Sequence, residues 1–125
     1  MIKNKIKILL VEDDANLTEM YTMKFKDESL DYVNAADGVA GLELACAESP
    51  AIILLDIMMP KIDGFAVLTE LKKDPKLKDI PVIMLSNLGQ ESDIEKGKEL
   101  GAVDYIVKAT MTPTQVISKI KEYLK

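Results

Sequence analysis

The feature that most constrains this chain is a fivefold alternation of short apolar runs with apolar residues at helical spacing. Residues 6–11 read as a buried strand, and Leu17, Met20, Tyr21 and Phe25 follow at helical intervals. Residues 32–35 give a weaker strand signal, followed by Val39, Leu42 and Cys46 on one helix face. Residues 51–55 are the strongest strand, with no polar break, and Phe65, Leu68 and Leu71 form the next stripe. Residues 81–85 are a fourth apolar run. The segment after it, residues 90–100, has only Ile94 and Leu100 as sizeable apolar side chains and carries Gly97, which predicts a weakly packed helix with a solvated surface. Residues 102–107 are the fifth strand. Thr112, Pro113 and Gln115 then supply an N-cap, an N1 proline and a capping-box partner for a last helix, whose stripe is Val116, Ile117, Ile120, Tyr123 and Leu124.

Strands that are apolar throughout must be covered on both faces, which argues for a parallel sheet with helices on either side. Right-handed crossovers then lead to an α/β fold, a flavodoxin-like doubly wound five-stranded parallel sheet of order 2-1-3-4-5 with five helices. A chain of 125 residues is one domain's worth, and no linker, repeat or low-complexity tract interrupts it. Residues 1–125 are therefore expected to form a single domain with no output domain attached.

Composition removes several chemistries. All 16 basic residues are Lys, so the chain has neither the guanidinium clamp of Arg nor, with no His, any Ser-His-Asp, Cys-His or His-zinc machinery. The net charge of −5 lacks the electrostatic footprint of a nucleic-acid binder, so no direct nucleic-acid contact is expected. Cys46 is the only cysteine, which excludes an intramolecular disulfide, and its setting in Leu44-Ala45-Cys46-Ala47 predicts a buried small hydrophobe. The basic amino terminus is followed by too short an apolar run for a signal peptide. No stretch approaches the ~18 apolar residues of a membrane span, so a cytoplasmic protein without membrane contact is expected.

In open α/β sheets, ligands bind beyond the carboxyl ends of the strands. The first strand ends in Glu12-Asp13-Asp14, the third in Asp56, the fourth in Ser86 and the fifth in Lys108. Singly, each has an ordinary reading: Asp13 or Asp14 as a helix cap, Asp56 as a turn acid, Ser86 as a cap, Lys108 as a solvated lysine. Together they bring acids, a hydroxyl and an ammonium to one rim. Close carboxylates repel and call for a cation, and an all-oxygen set with few protein donors suits Mg²⁺. A carboxylate beside such an ion, with an ammonium opposite, is suited to accept a phosphoryl group by in-line attack.

Residues 8–14, residues 55–60 with Asp63-Gly64, residues 81–86 and residues 101–108 together resemble the receiver domains of two-component response regulators, most nearly the stand-alone, chemotaxis-receiver-like kind. The resemblance spans the chain. It implies that Asp56 is the phosphoacceptor. Asp13 would be a direct Mg²⁺ ligand, with Glu12 acting through water and the backbone carbonyl of Met58 as a third protein ligand. Lys108 would contact the phosphoryl group, and Ser86 and Tyr105 would be the switch pair. It also implies a sensor histidine kinase or histidine phosphotransfer protein as donor and an unknown downstream protein target. Output would pass through the face built from the fourth helix, fifth strand and fifth helix of a monomer or weak dimer. Such a protein is not an enzyme beyond promoting its own phosphorylation and dephosphorylation.

Some positions depart from the family pattern. Ala109 stands where a proline, often joined by a cis peptide, usually follows the lysine, and a cis Lys108–Ala109 bond would cost about 2.5–4 kcal/mol. Asn87 is bulkier than the usual neighbour of the switch hydroxyl. Met58 and Leu88, at positions that tune access of water to the phosphoryl group, are both apolar, which predicts slow self-dephosphorylation. Two other readings are a receiver-like binding module that is not phosphorylated and a haloacid dehalogenase-type phosphatase. The latter places its nucleophile in an Asp-x-Asp motif after the first strand, which this chain does not have.

Overall fold

The computed structural model describes residues 7–59, 61–87 and 89–124. Five strands, β1 (Lys7–Val11), β2 (Asp31–Ala35), β3 (Ile52–Leu55), β4 (Val82–Ser86) and β5 (Asp104–Val107), form one parallel sheet of order β2-β1-β3-β4-β5. They alternate with α1 (Ala15–Asp27), α2 (Gly38–Glu48), α3 (Gly64–Lys73), α4 (Glu91–Glu99) and α5 (Pro113–Tyr123). The expected flavodoxin-like topology is the one observed. Strand limits differ from the apolar runs by a residue or two; Ile6 and Leu88 lie outside the described residues.

Alternating side chains of the strands divide the core. One layer joins Leu9, Val11, Ile53, Leu55 and Met84 to α2, α3 and α4, and the other joins Ile8, Leu10, Ile52, Leu54, Ile83 and Ile106 to α1 and α5. Polar caps start the helices where the strand rim ends. Asp14 accepts from the backbone N–H groups of Asn16 and Leu17 at 2.9 and 3.2 Å, so it is Asp14, not Asp13, that caps α1. Asp37 and Asp63 cap α2 and α3. Thr112 and Gln115 form the reciprocal capping box of α5. Helix α4 has no side-chain cap hydrogen bond and buries only Gly97, in keeping with a weakly packed element.

Two expectations fail on helix phase. Cys46 is exposed, not buried. The face that α2 buries is Gly38, Gly41 and Ala45, and Cys46 stands one residue round from it, with Val39 also 41% exposed. On α1, Met20 is likewise exposed, and Tyr21 and Phe25 carry the packing. The peptide bonds of the described residues are all trans, including Lys108–Ala109, and a short 3₁₀ turn over Lys108–Thr110 follows the lysine. No helix among the described residues is long and apolar enough to cross a membrane.

Candidate functional site

Strand register sets the site. Val11 pairs with Leu55, so the next residues, Glu12 and Asp56, leave the sheet side by side, held by Glu12 N–H to Ala35 O and Asp56 N–H to Val11 O, each 3.0 Å. Ser86 pairs with Val107, which brings Lys108 to the same rim. The chain after Asp56 must fold back at once to begin α3. Gly64 makes that possible: a Cβ there would stand 2.2 Å from the carbonyl oxygen of Asp56, closer than any side chain can be accommodated.

Glu12, Asp13 and Asp56 each place a carboxylate oxygen within 4.8 Å of the others. Glu12 and Asp56 are nearly inaccessible, whereas Asp13 is exposed. Lys108 lies between the buried pair, its Nζ 2.8 Å from Glu12 Oε1 and 3.3 Å from Asp56 Oδ2. The shorter contact has the separation of an ion pair without hydrogen-bond alignment, so that buried oxygen keeps unused acceptor capacity. The other oxygen of Glu12 accepts from the Asp14 N–H at 3.1 Å.

Burial pushes the Glu12 carboxyl up to about 7, opposed by Lys108 and aided by the Asp56 charge. Burial would lower the Lys108 ammonium, but Glu12 and Asp56 outweigh it, and the net shift is upward. With all three acids ionised against one ammonium, the rim holds two uncompensated negative charges on hard oxygen donors. That donor set fits a hard divalent cation and leaves room for water in its shell. A groove of about 490 Å³, lined by Glu12, Asp13, Thr18, Glu19, Thr22 and Asn34 among others, opens beside it.

The remaining predicted residues surround this centre. Ser86 is buried at the end of β4. Tyr105 is buried on β5 and shares a side-chain hydrogen bond with Ser86; its phenol is pushed up by burial and by the charge of Asp93. The Met58 side chain is 63% exposed at the rim. The direct Glu12–Lys108 pairing and the requirement for Gly64 were not anticipated. The Asp63-Gly64 pair was visible in the sequence, but the collision that explains it is tertiary.

Comparison with known proteins agrees with this geometry. The sequence profile described as "Response regulator receiver domain" matches residues 8–121. The chain is 38% identical over 124 residues to a probable transcriptional regulator ycf27 of Guillardia theta, covering 99% of this chain and 47% of that protein. It is 39% identical over 102 residues to the DNA-binding dual master transcriptional regulator RpaA of a Synechocystis species, covering 82% of this chain and 42% of that one. Among solved structures, chemotaxis protein CheY4 of Vibrio cholerae superposes with a TM-score of 0.90 at 25% identity, covering 97% of this chain and all of that one. The Francisella response regulator 1452 receiver domain gives 0.88 at 28% identity, covering 96% and 97%.

The chain belongs to the response regulator receiver domain family of two-component signalling, a family of signalling domains. It spans about half the length of the curated relatives it matches. RpaA is named a DNA-binding regulator, and this chain covers 42% of it.

Proposed function

We propose that residues 1–125 act as one receiver unit, a phosphorylation switch that takes a phosphoryl group on Asp56 in a Mg²⁺-dependent reaction. The observation that carries this reading is the meeting of three carboxylates with one partly buried ammonium at the carboxyl rim of the sheet. Asp13, Asp56 and the backbone carbonyl of Met58 would hold the ion directly, and Glu12 would hold it through water. When bound, Mg²⁺ neutralises charge on the phosphoryl oxygens. The chain's own residues do the rest. An oxygen of Asp56 forms the new bond to phosphorus as the P–N bond to the partner's histidine breaks, and the leaving imidazole keeps the electron pair and takes a proton. Lys108, released from Asp56, meets one phosphoryl oxygen, and Ser86 donates to another.

The donor is a sensor histidine kinase or a histidine phosphotransfer protein, because this chain has no histidine of its own. Movement of Ser86 is passed to Tyr105 through their hydrogen bond, and from there to the α4-β5-α5 face. Weak packing of α4 supports that route, since switching elements come from the least stable parts of a fold. Treatment with Mg²⁺ and a small phosphodonor should add one phosphoryl group to the wild type and none to Asp56→Asn. An unmodified wild type that also fails to bind beryllofluoride would leave a receiver-like binding module. Turnover of many phosphate esters would indicate a phosphatase.

A further inference from the structure

Lys61, in the loop between β3 and α3, adopts φ +75°, a left-handed backbone that a lysine occupies under strain. Glycine would take the same conformation freely, so the strain calls for a compensating contact. Lys61 Nζ lies 3.2 Å from Asp37 Oδ2, across the gap between this loop and the start of α2. Asp37 is held in place by its own capping role, accepting from Ala40 N–H at 2.8 Å. Its carboxyl is lowered, first by that N–H and then by Lys61. Beneath the pair the two segments interlock: a Cβ on Gly38 would stand 2.6 Å from Ile62 Cγ1 and 2.7 Å from Val67 Cγ2. At its far end the loop closes by Gly64 N–H to Ile57 O at 2.8 Å.

We infer that the Lys61–Asp37 ion pair is a positioning clasp that pins the β3–α3 loop to α2 and thereby fixes the Met58 backbone at the metal centre. The inference rests on the reading above, in which that backbone is a metal donor. Lys61 is largely exposed, so the pair adds little to global stability. Its effect is local. It suppresses opening of a loop whose backbone lies two residues beyond Asp56, and a ligand held more loosely binds metal more weakly.

The test is a double-mutant cycle of Lys61→Met and Asp37→Asn, the asparagine retaining the cap, with Lys61→Arg as the conservative rescue. Mg²⁺ affinity should fall by about two- to fivefold in either single variant, fall no further in the double, and return with arginine. In metal-free protein, the Gly64 amide should exchange faster in both singles while the unfolding midpoint stays near that of wild type. Single variants that match wild type in Mg²⁺ affinity and in Gly64 exchange would overturn the clasp, and if Asp13→Asn still abolished binding the metal reading would survive. A wild type that binds no Mg²⁺ would instead overturn that reading, and with it the clasp's role at the centre. Gly64 exchange would then report only whether the pair holds the loop.

Discussion

Lys108 bridges the ends of two strands by standing closer to Glu12, at 2.8 Å, than to Asp56, at 3.3 Å. The residue expected to meet an incoming phosphoryl group is thus held first by the acid next to the acceptor. By distance, Asp56 is the more loosely paired of the two buried carboxylates.

Removing the cation should therefore expose two buried acids to each other. Lys108→Met should destabilise the metal-free protein by about 2–3 kcal/mol, somewhat under the loss on breaking a fully enclosed pair because the Asp13 side is open. Millimolar Mg²⁺ should recover more of that loss in the variant than it adds to wild type. Urea unfolding with and without chelator measures both, and equal Mg²⁺ increments would count against the shared site.

Glu12 sets a pH dependence of defined sign. Its folded carboxyl titrates at about 7 against an ordinary value of 4.5, so between those limits the native state keeps a proton that the unfolded chain has released. Stability from this group is complete below about 4.5 and is lost as pH rises toward 7 and beyond. Glu12→Gln removes the effect. In chelator, the difference in unfolding free energy between variant and wild type should move in the variant's favour from pH 5 to pH 8, by on the order of 1–3 kcal/mol. Parallel stability curves would contradict it.

The site's members were legible because strands end where the apolar runs end, and the rim of a doubly wound sheet collects whatever follows. That reasoning located Glu12, Asp56, Ser86 and Lys108 without any knowledge of their contacts. It could not reveal which carboxylate Lys108 stands nearer, since that depends on how Ala35 O and the Asp14 N–H hold Glu12. Helix phase was legible where polar and apolar residues alternate, as in α5. It was lost in α2, where nearly every residue is small or apolar and packing against Val11, Ile62 and Val67 selects Gly38, Gly41 and Ala45 for the interior. The strained Lys61 carries no local signal at all.

Gly64 provides a steric prediction independent of charge. A methyl group there would lie 2.2 Å from Asp56 O and 2.7 Å from Ile57 Cα, both backbone atoms that cannot yield cheaply. Gly64→Ala should cost about 3 kcal/mol or more despite alanine's better helix propensity. The urea midpoint reports it, and a change under 1 kcal/mol would mean the Asp56 turn relaxes easily. Alanine at Gly89, where the nearest atoms are Val107 methyls at 3.4 Å, is the control expected to be mild.

Phosphoryl lifetime follows from what stands beside Asp56. Met58 is exposed at the rim, and its thioether neither donates to nor strongly accepts from a water molecule. The Met58 side chain cannot hold an attacking water in line, so the phosphorylated protein should decay slowly, on the order of minutes or longer. Met58→Asn supplies an amide able to hold that water and should shorten the lifetime by about tenfold, a modest share of what positioned polar groups contribute. The decay of phosphorylated protein after removal of the phosphodonor measures both values. Loss of the group from wild type within seconds would show that another residue orients the water, and the apolar character of Met58 would then have no bearing on the rate.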